Sequence, residues 1–313
     1  MHVIFAKPRG FCAGVERAIA IVEGALSRFG LPLYVKHAVV HNRHEVERLE
    51  KLGVIFVEDV SEIPEGSRVI LSAHGSPPEC FTEARARNLG VIDAVCPLVV
   101  KVHSEVKHYA SEGRTIILVG HRNHVEVIGT KGEAPNHTVV VESVEDAECI
   151  VVSDPEKVAY TTQTTLSVDD VKTIVEVLKR RFPDIVGPHK TDICYATQNR
   201  QDAVKVLAKR TNLILIVGSE ESSNANRLVE VARTAGVPAY LIEDAGALST
   251  KLFIGIRAVG VSSGASTPEA LLDKIRTRLE KFGAVSFEEM RTEDERVRFS
   301  LPKMLTEKGG VRR

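Results

Sequence analysis

Residues 8–15 read PRGFCAGV, and the pattern around Cys12 returns twice, as DAVCPLVVKVH at 93–103 around Cys96 and as DICYATQNRQ at 192–201 around Cys194. Each cysteine stands where a helix is predicted to open. After Cys12, the positions Val15, Ala18, Ile19, Val22 and Leu26 keep helical spacing. After Cys96, Pro97 takes a first helical position, which its fixed φ favours, and Val99, Val102, Val106 and Tyr109 form the buried stripe. After Cys194, Ala203, Val204, Leu207 and Ala208 do the same. Downstream of each thiol lies a polar loop at nearly constant distance. His41 in VVHNRHEV is 29 residues past Cys12, His124 in GHRNHVEV is 28 past Cys96, and Ser222 in GSEESSNANR is 28 past Cys194. A second polar loop follows in each segment: AHGS at His74, TTQTT around Thr164, and SSGAS at Ser266. The chain is one plan written three times, with one thiol and two polar loops per copy.

Between these motifs short aliphatic runs alternate with amphipathic helical patterns, which predicts βα units and parallel sheets, an α/β fold. Strands are expected at Val3–Ala6, Leu33–Val40, Arg68–Ser72, Thr115–Val119, Val158–Thr162, Leu213–Val217 and Ala258–Val261. Boundaries near residues 95 and 192 give three α/β units, 1–95, 96–192 and 193–285, each of ordinary small-domain size. Residues 286–313 form a C-terminal strand and tail. SFEEMRTEDERVRFSLP is expected to end in an alternating strand and the basic EKGGVRR to fray.

At 313 residues the chain needs more than one core, and a 43% hydrophobic, 27% charged composition is that of a globular protein. A formal net charge of −1 gives no general affinity for nucleic acid or an anionic membrane. The N-terminal apolar run is too short for a signal sequence, and LILIVG after Asn212 is too short to span a bilayer. Five cysteines, an odd count without paired spacing, make no disulfide framework and place the chain in a reducing cytoplasm.

A thiol in the first turn of a helix sits among unpaired N–H groups at the positive dipole end, which is expected to lower its pKa. One cysteine alone is more often a small buried hydrophobe than a ligand. Three at equivalent places favour a shared site built from Cys12, Cys96 and Cys194, with Cys80 and Cys149 structural. The close ligand pairs usual for zinc are missing. Widely spaced thiolates from separate units suit an iron–sulfur cluster, and three of them leave one iron of a [4Fe-4S] cubane open to substrate.

The Gly-, Ser- and Asn-rich turns GSEESSN and SSGAS suit an anion, since backbone N–H groups converge there. With His41, His74 and His124, the side chains of Ser222, Asn224 and Ser266 are expected to supply neutral and cationic donors suited to a diphosphate. No P-loop is present, so a nucleotide is disfavoured. Glu126, two residues past His124, is the carboxylate placed to donate protons if a closed cleft raises its pKa, with Thr164 and Thr165 completing a relay. The competing reading of Glu126 is a plain salt bridge, and of any single His or Ser a helix cap.

PRGFCAGV, VVHNR, SAHG, CPLV, TQTTLSVDD, RFPDIVGP, DICYATQNRQ, GSEESSNANRL and GAS, in that order from residue 8 to residue 266, closely resemble the 4-hydroxy-3-methylbut-2-enyl diphosphate reductase family. The resemblance implies three quasi-equivalent α/β domains around a pseudo-threefold axis with a central metal-cluster site. It makes Cys12, Cys96 and Cys194 the ligands of a [4Fe-4S] cluster. His41, His74, His124, Ser222, Ser223, Asn224 and Ser266 become substrate-binding residues, Glu126 the proton donor, and Gln163, Thr164 and Thr165 the loop beside it. The implied reaction is the two-electron removal of the allylic hydroxyl, giving isopentenyl and dimethylallyl diphosphate at the end of the methylerythritol phosphate route to isoprenoids. The implied electron donor is a ferredoxin or flavodoxin. Four positions depart from the family pattern: Val125 replaces a proline, Asn123 a glycine, Val95 a threonine and Ala38 a glutamate. The rivals are a paralogue acting on another allylic or phosphorylated substrate, a non-catalytic iron–sulfur sensor, and a zinc hydrolase.

Overall fold

The computed structural model describes residues 1–306; the tail EKGGVRR, expected to fray, lies outside them. In chain order the elements are β1 (His2–Lys7), α1 (Ala13–Phe29), β2 (Leu33–Lys36), α2 (Arg43–Lys51), β3 (Val54–Val57), β4 (Arg68–Leu71), α3 (Pro78–Ala86) and β5 (Gly90–Asp93). There follow α4 (Pro97–Ser111), β6 (Thr115–Val119), α5 (Val125–Gly132), β7 (Thr138–Val141), α6 (Val144–Cys149), β8 (Val158–Thr162) and α7 (Val168–Arg181). The last part holds α8 (Tyr195–Ala208), β9 (Leu213–Val217), α9 (Ser223–Thr234), β10 (Ala239–Ile242), β11 (Ala258–Ser263), α10 (Glu269–Lys281), β12 (Ser286–Arg291) and α11 (Lys303–Thr306).

The strands form three all-parallel sheets, ordered β3-β2-β4-β5, β7-β6-β8 and β10-β9-β11-β1-β12. Each sheet has its own core, with Leu33, Val35 and Ile70 in the first and Ile117, Val119 and Leu178 in the second. The third sheet is covered on both faces. Along β1, Ile4 and Ala6 enter one core while Val3 and Phe5 enter the other, as the alternation of a strand requires.

Two expectations are corrected. Strand β1 is not part of the first unit: it pairs with β11 and β12, so the first unit begins in effect at Cys12. The strand in the C-terminal segment lies at its start, Ser286–Arg291, and the alternating VRFSLP run has no regular structure. The first correction restores the threefold plan. Cys96 follows β5, the edge of the first sheet, and Cys194 follows the second sheet, so Cys12 must follow a strand of the third. In every copy the cysteine leaves one sheet and opens the helix that leads into the next. Among the described residues no helix is long and apolar enough to cross a membrane.

Candidate active site

Cys12, Cys96 and Cys194 are the N-cap residues of α1, α4 and α8, in extended backbone conformation. Their backbone N–H groups repeat one interaction. Cys12 donates to the Ala265 carbonyl at 3.0 Å, Cys96 to Ala73 at 2.9 Å and Cys194 to Thr164 at 3.0 Å. Each acceptor lies in the second polar loop of the preceding copy, so every thiol is pinned where two units meet.

The three thiols border one cavity of about 110 Å³, far above the ~10–15 Å³ that admits one water. The same walls hold His41, His74, His124, Glu126, Thr164, Thr165, Ser222, Ser223, Asn224 and Ser266, which the sequence placed at one site. Gln163 stands behind the wall. Its amide donates to Thr165 Oγ1 at 2.9 Å and Ser223 Oγ at 3.3 Å, and its carbonyl accepts from the His121 N–H. Cys80 packs beside the core of the first unit and Cys149 is exposed at the end of α6; neither reaches the cavity.

At the thiol end a Cβ added to Gly14 would stand 2.8 Å from Cys96 Sγ and 3.8 Å from Cys12 Sγ, so only glycine keeps this space clear. Among the described residues no three His, Cys, Asp or Glu groups close on a point as the ligands of a single ion do. Three thiols around a cradle suit a body of several atoms, and an all-sulfur donor set suits iron–sulfur chemistry. For Cys96 and Cys194 the expected lowering of the thiol pKa is overturned. Burial, reinforced by the neighbouring thiols, pushes Cys96 up to about 12 and Cys194 up to about 11, outweighing the hydrogen bonds at the helix starts. A cation bound beside these sulfurs would favour their thiolate forms.

At the opposite end the His41 and His74 rings stack at 3.9 Å and the His124 ring meets both edge-on, at 5.4 and 6.1 Å. Burial takes His41 down to about 4, His124 to about 3, and His74 well below its ordinary range. The rings are therefore neutral at pH 7 rather than cationic. His124 caps α5, its Nδ1 accepting from the Glu126 N–H at 3.2 Å, so its proton resides on Nε2. His124 Nε2, His41 Nε2 and His74 Nδ1 are buried with no hydrogen-bond partner among the described residues. Such groups are costly to leave unpaired, and a ligand offering oxygens satisfies them. Ser222 caps α9, Ser266 Oγ donates to the His41 carbonyl at 2.8 Å, and Asn224 accepts from the Ala265 N–H at 3.0 Å.

Between the two ends sits Glu126, fully buried. Its Oε1 accepts from the Thr164 N–H at 2.6 Å and its Oε2 from Thr164 Oγ1 at 3.0 Å. Burial raises it to about 7, although the Thr164 hydrogen bonds oppose the shift. No cation pairs with it in any salt bridge of the described residues, which sets aside the plain salt-bridge reading.

Sequence reasoning missed three wall residues. Thr197 Oγ1 lies 3.1 Å from both Cys194 Sγ and Asn224 Nδ2, linking thiol and loop. Tyr195 presents its hydroxyl to the Ala13 N–H beside Cys12. Both sit within three residues of Cys194, a proximity that could have found them. Phe299 comes from the C-terminal segment, and no local pattern marked it.

Three parallel-sheet units, each contributing a thiol to a cavity that also encloses a neutral-poised carboxylate and unpaired imidazoles, define a multidomain α/β enzyme active at its domain junction. A family model described as LytB protein matches residues 3–280. The chain belongs to that family. It is 53% identical over 304 residues to the 4-hydroxy-3-methylbut-2-enyl diphosphate reductase of Aromatoleum aromaticum, covering 97% of each chain. It is 52% identical to the enzyme of that name from Methylococcus capsulatus, covering 97% of this chain and 98% of the other. The solved E-1-hydroxy-2-methyl-but-2-enyl-4-diphosphate reductase of Plasmodium falciparum superposes with a TM-score of 0.94 at 41% identity, over 97% of this chain and 96% of that one. A second solved structure, of (E)-4-hydroxy-3-methyl-but-2-enyl diphosphate reductase, the terminal enzyme of the non-mevalonate pathway, gives 0.64 at 35% identity, over 90% and 99%.

Proposed function

We infer that the protein is a reductase that converts 4-hydroxy-3-methylbut-2-enyl diphosphate into isopentenyl and dimethylallyl diphosphate, the last step of the methylerythritol phosphate route. The observation that carries this reading is Glu126: a carboxyl poised near pH 7 in the same cavity as three thiols and three unpaired imidazoles. Overall, two electrons and two protons break the allylic C–O bond, releasing water and leaving a C–H bond.

Cys12, Cys96 and Cys194 would hold a [4Fe-4S] cluster, which when bound supplies the electrons and the Lewis acidity. His41, His74 and His124 donate neutral N–H bonds to the diphosphate, joined by Ser222, Ser223, Asn224 and Ser266. Glu126 holds the proton that turns the hydroxyl into water. When it is protonated, Oε2–H donates to Thr164 Oγ1, and the Thr164 hydroxyl, which both accepts and donates, turns its own proton into the cavity. Thr165 and Gln163 fix that loop against Ser223. An allylic anion protonated at either end gives the two isomers. Ferredoxin or flavodoxin fits as the electron donor, and the five unpaired cysteines fit a cytoplasmic home.

The test is anaerobic turnover of this substrate with dithionite and a viologen mediator, the products being separated by mass and chromatography. Both isomers are expected; unreacted substrate with a fully loaded protein overturns the reading.

A further inference from the structure

Past β12 the chain leaves the third sheet, and residues 293–302 form no regular structure. This strap is held by side chains from two units. Glu295 pairs with Arg200 of α8 at 2.8 Å; Arg200 is wholly buried and also donates to the Gly10 carbonyl at 2.8 Å. Further on, Arg17 of α1 donates to the Ser300 carbonyl at 2.9 Å and to the Val95 carbonyl at 2.9 Å, tying the strap to the turn before Cys96. Leu301 and Leu305 then pack against the core of the first unit. Between these anchors Phe299 joins the cavity wall while remaining half-buried. Val15, Val40, Leu98 and Val99 are its apolar companions in the wall. The family model stops at residue 280, short of the strap.

We propose that Phe299 is a specificity-determining residue. It closes the apolar side of the cavity over the hydrocarbon of a five-carbon allylic diphosphate, keeps water out during reduction, and limits the alkenyl group that fits. The proposal rests on the functional reading above. A ring at this point removes apolar surface from water and would restrict the space for extra methylenes, each of which a closed pocket discriminates by a factor of ~10–200. The Glu295–Arg200 pair positions the ring from four residues away, with the buried guanidinium as a fixed post.

The experiment compares anaerobically loaded parent, Phe299→Ala and Phe299→Leu on two compounds: the five-carbon substrate and an analogue whose 3-methyl group is replaced by 3-propyl. The parent is expected to prefer the five-carbon compound strongly in kcat/KM. Phe299→Ala should shrink that preference by ~10-fold or more, through a higher KM for the small substrate and new turnover of the large one. Phe299→Leu should fall between them. Glu295→Gln should shift the preference in the same direction by less, with iron content at the parent level. Parent-like preference in a fully loaded Phe299→Ala overturns the proposal while the functional reading stands. A parent that reduces neither compound overturns the functional reading, and the proposal with it.

Discussion

The thiol end and the histidine end of the cavity experience the same desolvation and respond in opposite directions. Burial raises the acids, Cys96 to about 12, Cys194 to about 11 and Glu126 to about 7, and lowers the bases, His41 to about 4 and His124 to about 3. By itself the cavity favours the neutral form of each of these groups. The two ends differ in what each would ask of a ligand: the sulfurs would need a cation to become thiolates, and the neutral imidazoles offer N–H donors that an anion would accept. Glu126 lies between them, and its raised pKa needs neither partner.

The largest expected effect comes from the thiol end. Cys12→Ser, Cys96→Ser or Cys194→Ser should abolish turnover and remove most of the bound iron, measured by iron and sulfide analysis after anaerobic preparation. Cys80→Ser and Cys149→Ser, which lie outside the cavity, should change neither. Full iron loading in Cys194→Ser would remove α8 from the site and break the threefold correspondence.

Next is the acid between the ends. Glu126→Gln keeps shape and hydrogen bonding but has no proton to give, so turnover should fall by a factor on the order of 10²–10⁴ while substrate still binds. The protonated form is the working one. The kcat of the parent should therefore hold below pH 7 and decline as pH rises through about 7, and that limb should vanish in the variant. An unchanged alkaline limb in Glu126→Gln would assign it to another group.

The histidine end should give smaller, binding-only effects. Asn224→Ala or Ser266→Ala should weaken affinity for inorganic diphosphate and for substrate by ~1.5–3 kcal/mol, the range for a hydrogen bond to a charged group, with kcat nearly constant. Calorimetry on the loaded protein measures this, and parent-like affinity in both variants would move the anion elsewhere.

The repeat made most of this site legible. Cysteines at three helix starts and two polar loops per copy are local patterns, and local patterns survive in sequence. What stayed hidden depends on long-range pairing and on burial. The VIFA run of β1 is apolar on both faces, which announces a central strand but not its partners, and those lie 256 and 284 residues away, His2 pairing with Ala258 of β11 and Ser286 of β12. The four-residue strands β3, β5, β7 and β10 are too short to show a period. The sign of the shift at Cys96 and Cys194 is hidden in the sequence because a helix dipole is visible there and desolvation is not. Phe299 lies in a strap whose path is set by Arg200 and Arg17, two arginines that stand in or just past the cysteine motifs but whose contacts with the C-terminal segment no local pattern marks.

Val125 offers the smallest effect and the finest test of the boundary between the two ends. It is the first residue of α5, directly after the His124 cap and directly before Glu126. At that position the backbone N–H has no intrahelical acceptor, and the φ that proline imposes is the one a helix start adopts. Replacing valine by proline removes no helix hydrogen bond and narrows only the freedom of the unfolded chain. Val125→Pro should thus stabilise the protein by ~0.4–1 kcal/mol, read as a small rise in thermal midpoint. Turnover should stay within about a factor of two, because Glu126 is already held by Thr164 through two hydrogen bonds. A larger gain in kcat with unchanged KM would mean that valine leaves Glu126 loose despite those bonds. A large loss would mean that the turn at His124 needs the valine backbone to reach the diphosphate.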